Sequence, residues 1–178
     1  SEMVDDEKLI RRIRSGDPDA LEELIRKYYN DIYTYCYRKM GRKSDAEDVT
    51  QEVFLHFCRN FDSYAHRGKC RNYLYAIARN LCADALRAKA PVPLSSVEVE
   101  DPAESDAGER QIDAADSVQT ALKRLPGEQK EVILLHFYHD LKLEEIAQIM
   151  DAGLSVTKYR LYRGLKTLSN LLSKEDWL

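Results

Sequence analysis

The sequence has few residues that break helices and none of the common motifs that carry catalysis. Its 178 residues include only 7 glycines and 5 prolines, and no stretch alternates apolar and polar residues convincingly enough for a strand. No apolar run approaches the ~20 residues of a membrane span, and the opening SEMVDDEKLI has no apolar signal-peptide core. A cytoplasmic location is expected. The cysteines Cys36, Cys58, Cys70 and Cys82 are widely spaced with no CxxC pair, which suits free, partly buried thiols in a reducing compartment. A metal or redox site from His56, Cys58, His66 and Cys70 would match no compact zinc spacing. Glu52 and His56 miss the (i, i+3) spacing of helical di-iron sites, His136 and His139 lack a carboxylate in a paired motif, and no glycine-rich phosphate loop occurs. No catalytic residue, metal or cofactor is expected, and the chain does not read as an enzyme.

What is present is charge, unevenly placed. Residues 1–90 hold 17 basic and 15 acidic side chains, residues 91–120 only Arg110 against 8 acids, and residues 121–178 hold 9 basic and 8 acidic. The overall charge of −4 therefore belongs to the middle. There PVPLSSVEVEDPAESDAGERQIDAAD combines prolines and acids with few large apolar residues, the composition of a flexible linker. The expected architecture is all-α: a helical domain over 3–91, an acidic linker over 92–111, and a second helical domain over 112–178.

In the first domain, DDEKLIRRIRSG predicts a short helix ended by Gly16. Asp17 as N-cap and Pro18 at the first helical position predict a second, with Leu21, Leu24, Ile25, Tyr28, Ile32 and Cys36 inward and Gly41 closing it. Ser44 and Glu47 stand in capping-box spacing before a third helix reaching Phe61. A fourth runs from about Lys69 to Lys89, with Leu74, Ile77, Ala78, Leu81 and Ala85 in one stripe. In the second domain a helix near 112–125 precedes LPGEQKEVILLHFYHD, where Val132, Ile133, Leu135 and Phe137 are available to the core. LKLEEIAQIM, DAG and LSVTKYRLYRGLKTLSNLL then form a helix-turn-helix clamped by Ile146, Ala147, Met150, Leu154, Val156, Leu161 and Leu165.

Three surfaces invite a functional reading. KYRLYRGLK, residues 158–166, holds four cations and two tyrosines without an acid. With a helix beginning at Ser155, Lys158, Tyr159, Tyr162, Arg163 and Lys166 lie outward, as a recognition helix presents donors to a major groove; a solvated surface is the plainer alternative. Residues 59–89 carry seven cations against Asp62 and Asp84 and interleave Tyr64, Tyr73 and Tyr75 with His66, Arg67, Lys69, Arg71 and Arg79. Cations beside aromatic platforms suit single-stranded nucleic acid, although Tyr73 and Tyr75 would serve equally as core. On the third helix, Asp48, Gln51, Glu52 and Leu55 share a face opposite Val49, Val53 and Phe57. It is either solvated or a docking face for a basic partner.

DAEDVTQEVFLHFCRNFDSY and YLYAIARNLCADALR resemble region 2 of the extracytoplasmic-function group of bacterial sigma factors. LPGEQKEVILLHFYHDLKLEEIAQIMDAGLSVTKYRLYRGLKTL resembles region 4 of the same group. The resemblance implies a dissociable subunit that binds core RNA polymerase and directs it to promoters. Asp48, Gln51, Glu52 and Leu55 would then dock on the clamp coiled coil of β′. Tyr64, His66, Arg67, Lys69, Arg71, Asn72, Tyr73 and Arg79 would read the melted −10 strand. Ser155, Lys158, Tyr159, Tyr162, Arg163 and Lys166 would read the −35 duplex. Further implied partners are the β subunit, promoter DNA and an anti-sigma factor or other inhibitory partner, and the linker would run near the active-site and RNA-exit channels. The chain departs from the pattern in CRNYLY, where Cys70 and Tyr73 stand in place of a phenylalanine and a tryptophan. Rival readings are a stand-alone helix-turn-helix regulator of duplex DNA, a thiol or metal sensor, and an adaptor acting only through protein contact.

Overall fold

A computed structural model describes residues 2–66, 69–89 and 114–176. The linker expected at 92–111 lies outside the described residues, as does Arg67. Two compact units divide the chain, Ser1–Asp106 and Ala107–Leu178. Among the described residues both are helical, and no strand occurs.

The first unit contains α1 (Glu2–Arg14), α2 (Pro18–Met40), α3 (Lys43–Arg59) and α4 (Cys70–Lys89), with a 3-10 turn at Phe61–Ser63. Local chemistry sets the ends of α2. The Asp17 side chain accepts a hydrogen bond from the Asp19 N–H at 3.0 Å, Pro18 follows, and Gly41 at φ 81° donates its N–H to Tyr37 O. That left-handed geometry favours glycine. The expected Ser44–Glu47 capping box does not form. Helix α3 begins one residue earlier, at Lys43, with Arg42 in the cap position and no side-chain cap.

Helices α2, α3 and α4 pack on one another, and α1 packs on α2. Val53, Phe57, Leu24, Ile32, Tyr35, Leu74 and Tyr75 are essentially inaccessible, each such aliphatic or aromatic side chain contributing about 1.5–3 kcal/mol by leaving water. Tyr75 meets Tyr35 edge-on at 5.7 Å, so the core reading is right for this tyrosine. On α4 the stripe is shifted from expectation: Cys82 is buried, while Leu81 and Ala85 are only half-buried.

The second unit contains α5 (Ala114–Lys123), α6 (Gly127–Ile133), a π-helical turn at Leu134–Tyr138, α7 (Leu143–Ile149) and α8 (Leu154–Asp176). Pro126 caps α6. Phe137 is 55% exposed, contrary to the core expectation, because Leu134 takes the inward position in the π-helical turn. His136 Nδ1 contacts Leu141 O at 2.9 Å, which gives that histidine a turn-holding role.

Between α7 and α8 the left-handed residue is Asp151, at φ 51°, and not Gly153. Aspartate tolerates that region better than most side chains. Helix α8 starts at Leu154, and buried Thr157 donates its hydroxyl to Gly153 O at 2.9 Å. Its inward line is Leu154, Thr157, Leu161, Gly164 and Leu168. Val156 and Leu165, expected in the clamp, are 46% and 38% exposed.

Gly164 explains the shift. A Cβ there would lie 2.8 Å from Ile133 Cδ1 and 3.3 Å from Gln129 Cβ, so the absent side chain lets α8 approach α6 closely. Alanine at a helix interior normally gains about 1 kcal/mol over glycine, whereas overpacking costs roughly 1–3 kcal/mol. Ile133 sits in a cluster with Leu122 and Leu125, which limits its retreat. Gly164→Ala is expected to lose about 1 kcal/mol net, measured by urea unfolding. A more stable variant would contradict this packing.

Candidate functional site

On α3 the helical period separates two faces. Val49, Val53, Phe54 and Phe57 are buried, while Asp48, Gln51, Glu52 and Leu55 are exposed together. Leu55 is an exposed large hydrophobic residue at 44%, about one helical turn beyond Glu52 and two beyond Asp48. The result is a small acidic surface with an apolar residue at its C-terminal edge, suited to a cationic partner that also offers a hydrophobic contact.

After α3 the chain turns through an aromatic cluster. Phe57, Phe61, Tyr64 and Tyr73 form a connected set, with Tyr64 and Tyr73 ring centroids 4.7 Å apart. Tyr64 is buried, and burial followed by the neighbouring Cys70 thiol pushes its hydroxyl pKa upward. Its Oη lies 2.9 Å from His66 Nδ1. The expectation that Tyr64 offers a stacking face is corrected here, because its ring is already covered by its neighbours. Tyr73 is half-exposed, as are His66, Lys69, Arg71, Asn72 and Arg79. At this surface His66 Nε2 and Asn72 Oδ1 are buried without a hydrogen-bond partner among the described residues. Such atoms ordinarily find a partner.

On α8, Ser155, Lys158, Tyr159, Tyr162, Arg163 and Lys166 are all exposed. Tyr159 and Tyr162 are among the most open aromatics, at 61% and 65%. The periodicity that turns Thr157, Leu161 and Gly164 inward turns these residues outward. Arg160 is separate from them: it pairs with Glu128 of α6 at 2.5 Å. Lys158, Arg163 and Lys166 have no ion-pair partner among the described residues, so their charge is available to phosphate or base. Val156 and Leu165, expected in the core, add apolar area to this exposed surface.

Cys36, Cys70 and Cys82 are buried and Cys58 is exposed. Burial, then the charge of Asp6, pushes the Cys70 thiol up to about 12. Among the described residues no group of three or more His, Cys, Asp or Glu could hold a metal ion, so His56, Cys58, His66 and Cys70 do not converge. No helix among those residues is long and apolar enough to cross a membrane.

Sigma-70 region 2 matches residues 24–91, and Sigma-70 region 4 matches residues 115–168. The ECF RNA polymerase sigma factor SigW of Bacillus subtilis is 30% identical over 178 residues, covering 93% of this chain and 95% of that protein. The chain belongs to the extracytoplasmic-function sigma factors. The ECF sigma-E factor of Escherichia coli is 27% identical over 96% of this chain and 95% of its own length. Among solved structures, CnrH in complex with the cytosolic domain of CnrY superposes with a TM-score of 0.71 at 21% identity, covering 96% of this chain and 98% of that one. The sigma factor RpoE of Bartonella quintana, in complex with the anti-sigma factor NepR, gives 0.65 at 19% identity, covering 85% and 96%. These two likenesses concern the fold. As a sigma factor the chain directs RNA polymerase to promoters, which sets aside the stand-alone regulator.

Proposed function

We propose that the three surfaces divide the work of promoter recognition. The face of Asp48, Gln51, Glu52 and Leu55 docks on the β′ clamp coiled coil. Tyr73, Arg71, Lys69, His66, Asn72 and Arg79, with Arg67, capture the melted −10 strand around a buttress formed by Tyr64. Ser155, Lys158, Tyr159, Tyr162, Arg163 and Lys166 enter the −35 major groove. The chain supplies binding energy and position, and the chemistry of RNA synthesis stays with polymerase, in the cytoplasm. The observation that carries this reading is the presence, in each unit separately, of clustered cations beside exposed or half-exposed tyrosines. Transcription from a promoter library by core polymerase, with and without the chain, tests it. A selected pair of spaced elements supports two readers; selection of one element only opposes them.

The same reading makes the domains 3–91 and 112–178 autonomous, with the acidic stretch 92–111 as the tether passing near the active-site and RNA-exit channels. Cleavage between Pro93 and Ala107 is expected to leave two folded helical fragments, each with its own cooperative melt by circular dichroism. Loss of helix in both would contradict it. The solved structure of RpoE holds the anti-sigma factor NepR and that of CnrH the cytosolic domain of CnrY, and an anti-sigma partner is proposed for this chain.

A further inference from the structure

Helix α1 lies upstream of residues 24–91, the stretch that matches Sigma-70 region 2. It nonetheless reaches the connection between α3 and α4 at two points. The Arg14 guanidinium donates to Tyr64 O at 3.0 Å and sits over the Phe61 ring at 5.9 Å. Just over two turns before it, Asp6 is fully buried; its carboxylate accepts from Lys27 Nζ at 2.7 Å, from Tyr28 Oη at 2.6 Å and from the Cys70 N–H at 3.3 Å. Cys70 is the first residue of α4, whose leading N–H groups have no partner within the helix. Asp6 thus caps α4 from another helix, and a buried carboxylate is kept there only because three donors surround it.

We propose that α1 is a clamp for the −10 reader: Arg14 fixes the chain at Tyr64, Asp6 fixes the start of α4 at Cys70, and together they hold Tyr64, Tyr73 and the first turn of α4 in their binding shape. Arg14 and Asp6 are positioning residues, acting on DNA through Tyr64, Tyr73 and the start of α4. The proposal rests on the assignment of that surface to the −10 strand. Holding a binding surface in shape lowers the ordering cost of the ligand complex.

Arg14→Ala tests it, since Arg14 is exposed and its loss need not unfold the core. Arg14→Lys keeps a donor, and Arg11→Ala, on the same helix but paired with Glu7 among the described residues, controls for charge. Amide hydrogen exchange on the free protein is read first. Exchange at Ser63 to His66 is expected to speed up about three- to tenfold in Arg14→Ala, a change on the scale of one lost hydrogen bond, and to recover in part in Arg14→Lys. Unchanged exchange overturns the clamp without reference to DNA. Affinity of the polymerase complex for a −10 single strand is read second and is expected to fall by a similar factor, with −35 duplex and core affinity held. Faster exchange with unaltered strand affinity overturns the positioning role if Tyr73→Ala does lose the strand. If Tyr73→Ala also keeps it, the −10 assignment itself fails and the positioning role with it. Asp6→Asn, scored the same way at the Cys70 amide, tests the second anchor independently.

Discussion

Asp48→Lys combined with Glu52→Lys is expected to lower affinity for core polymerase by about 100-fold, or about 2.7 kcal/mol. Both carboxylates are exposed on α3 and point away from the Val49 and Val53 stripe. Reversing them therefore leaves the packing of α2, α3 and α4 intact, and helix content and melting temperature should hold within the range of ordinary surface changes, about 0.5 kcal/mol. The penalty arises at the partner. Two favourable contacts become two like-charge juxtapositions beside Leu55, where water is excluded on docking and charges are weakly screened. Leu55→Ala should cost less, about tenfold, because it removes apolar area without introducing repulsion. Titration of labelled core polymerase measures all three. A double-lysine variant that folds normally and binds normally would place the docking surface elsewhere.

The second large effect is a separation of ligands. Lys158→Ala with Arg163→Ala should weaken binding to the −35 duplex by about 30- to 25,000-fold if each reads a base, at about 1–3 kcal/mol per contact. The loss should be greater for the preferred sequence than for a scrambled one. Tyr73→Ala with Arg71→Ala should instead impair capture of the −10 single strand, a stacking platform being worth roughly 1–3 kcal/mol. Tyr73 also touches Phe57 and Tyr64, so the thermal stability of that variant has to be matched before affinities are compared. Salt must be fixed in every comparison, because phosphate contacts make each affinity depend on it. If folded variants lose both ligands equally, the cations form one diffuse surface and not two readers.

Much of the fold was legible because it depends on local chemistry. Asp17, Pro18 and Gly41 mark the ends of α2 through capping and left-handed geometry, and these signals act over a few residues. The exposed face of α3 followed from period alone. What the sequence did not reveal depended on tertiary contact. The close approach of α8 to α6 at Gly164 rotates α8 so that Val156 and Leu165 face outward, and no local pattern reports how near a second helix comes. The π-helical turn likewise moves Phe137 out of the core. Tyr75, alike in sequence context to Tyr73, differs from it in burial because it meets Tyr35 of α2 within the core. Asp6, one acid among several near the N-terminus, gains its role only when Lys27, Tyr28 and Cys70 surround it.

Photo-crosslinking from two positions in one complex tests the division of labour most directly. A benzoylphenylalanine replaces Tyr73 in one variant and Tyr162 in another, each assembled with core polymerase on a promoter that the chain activates. The expected result is a crosslink from position 73 to the single strand of the melted −10 element, and one from position 162 to duplex −35 DNA. Crosslinks from both positions to the same DNA segment, or from neither to DNA, would contradict it.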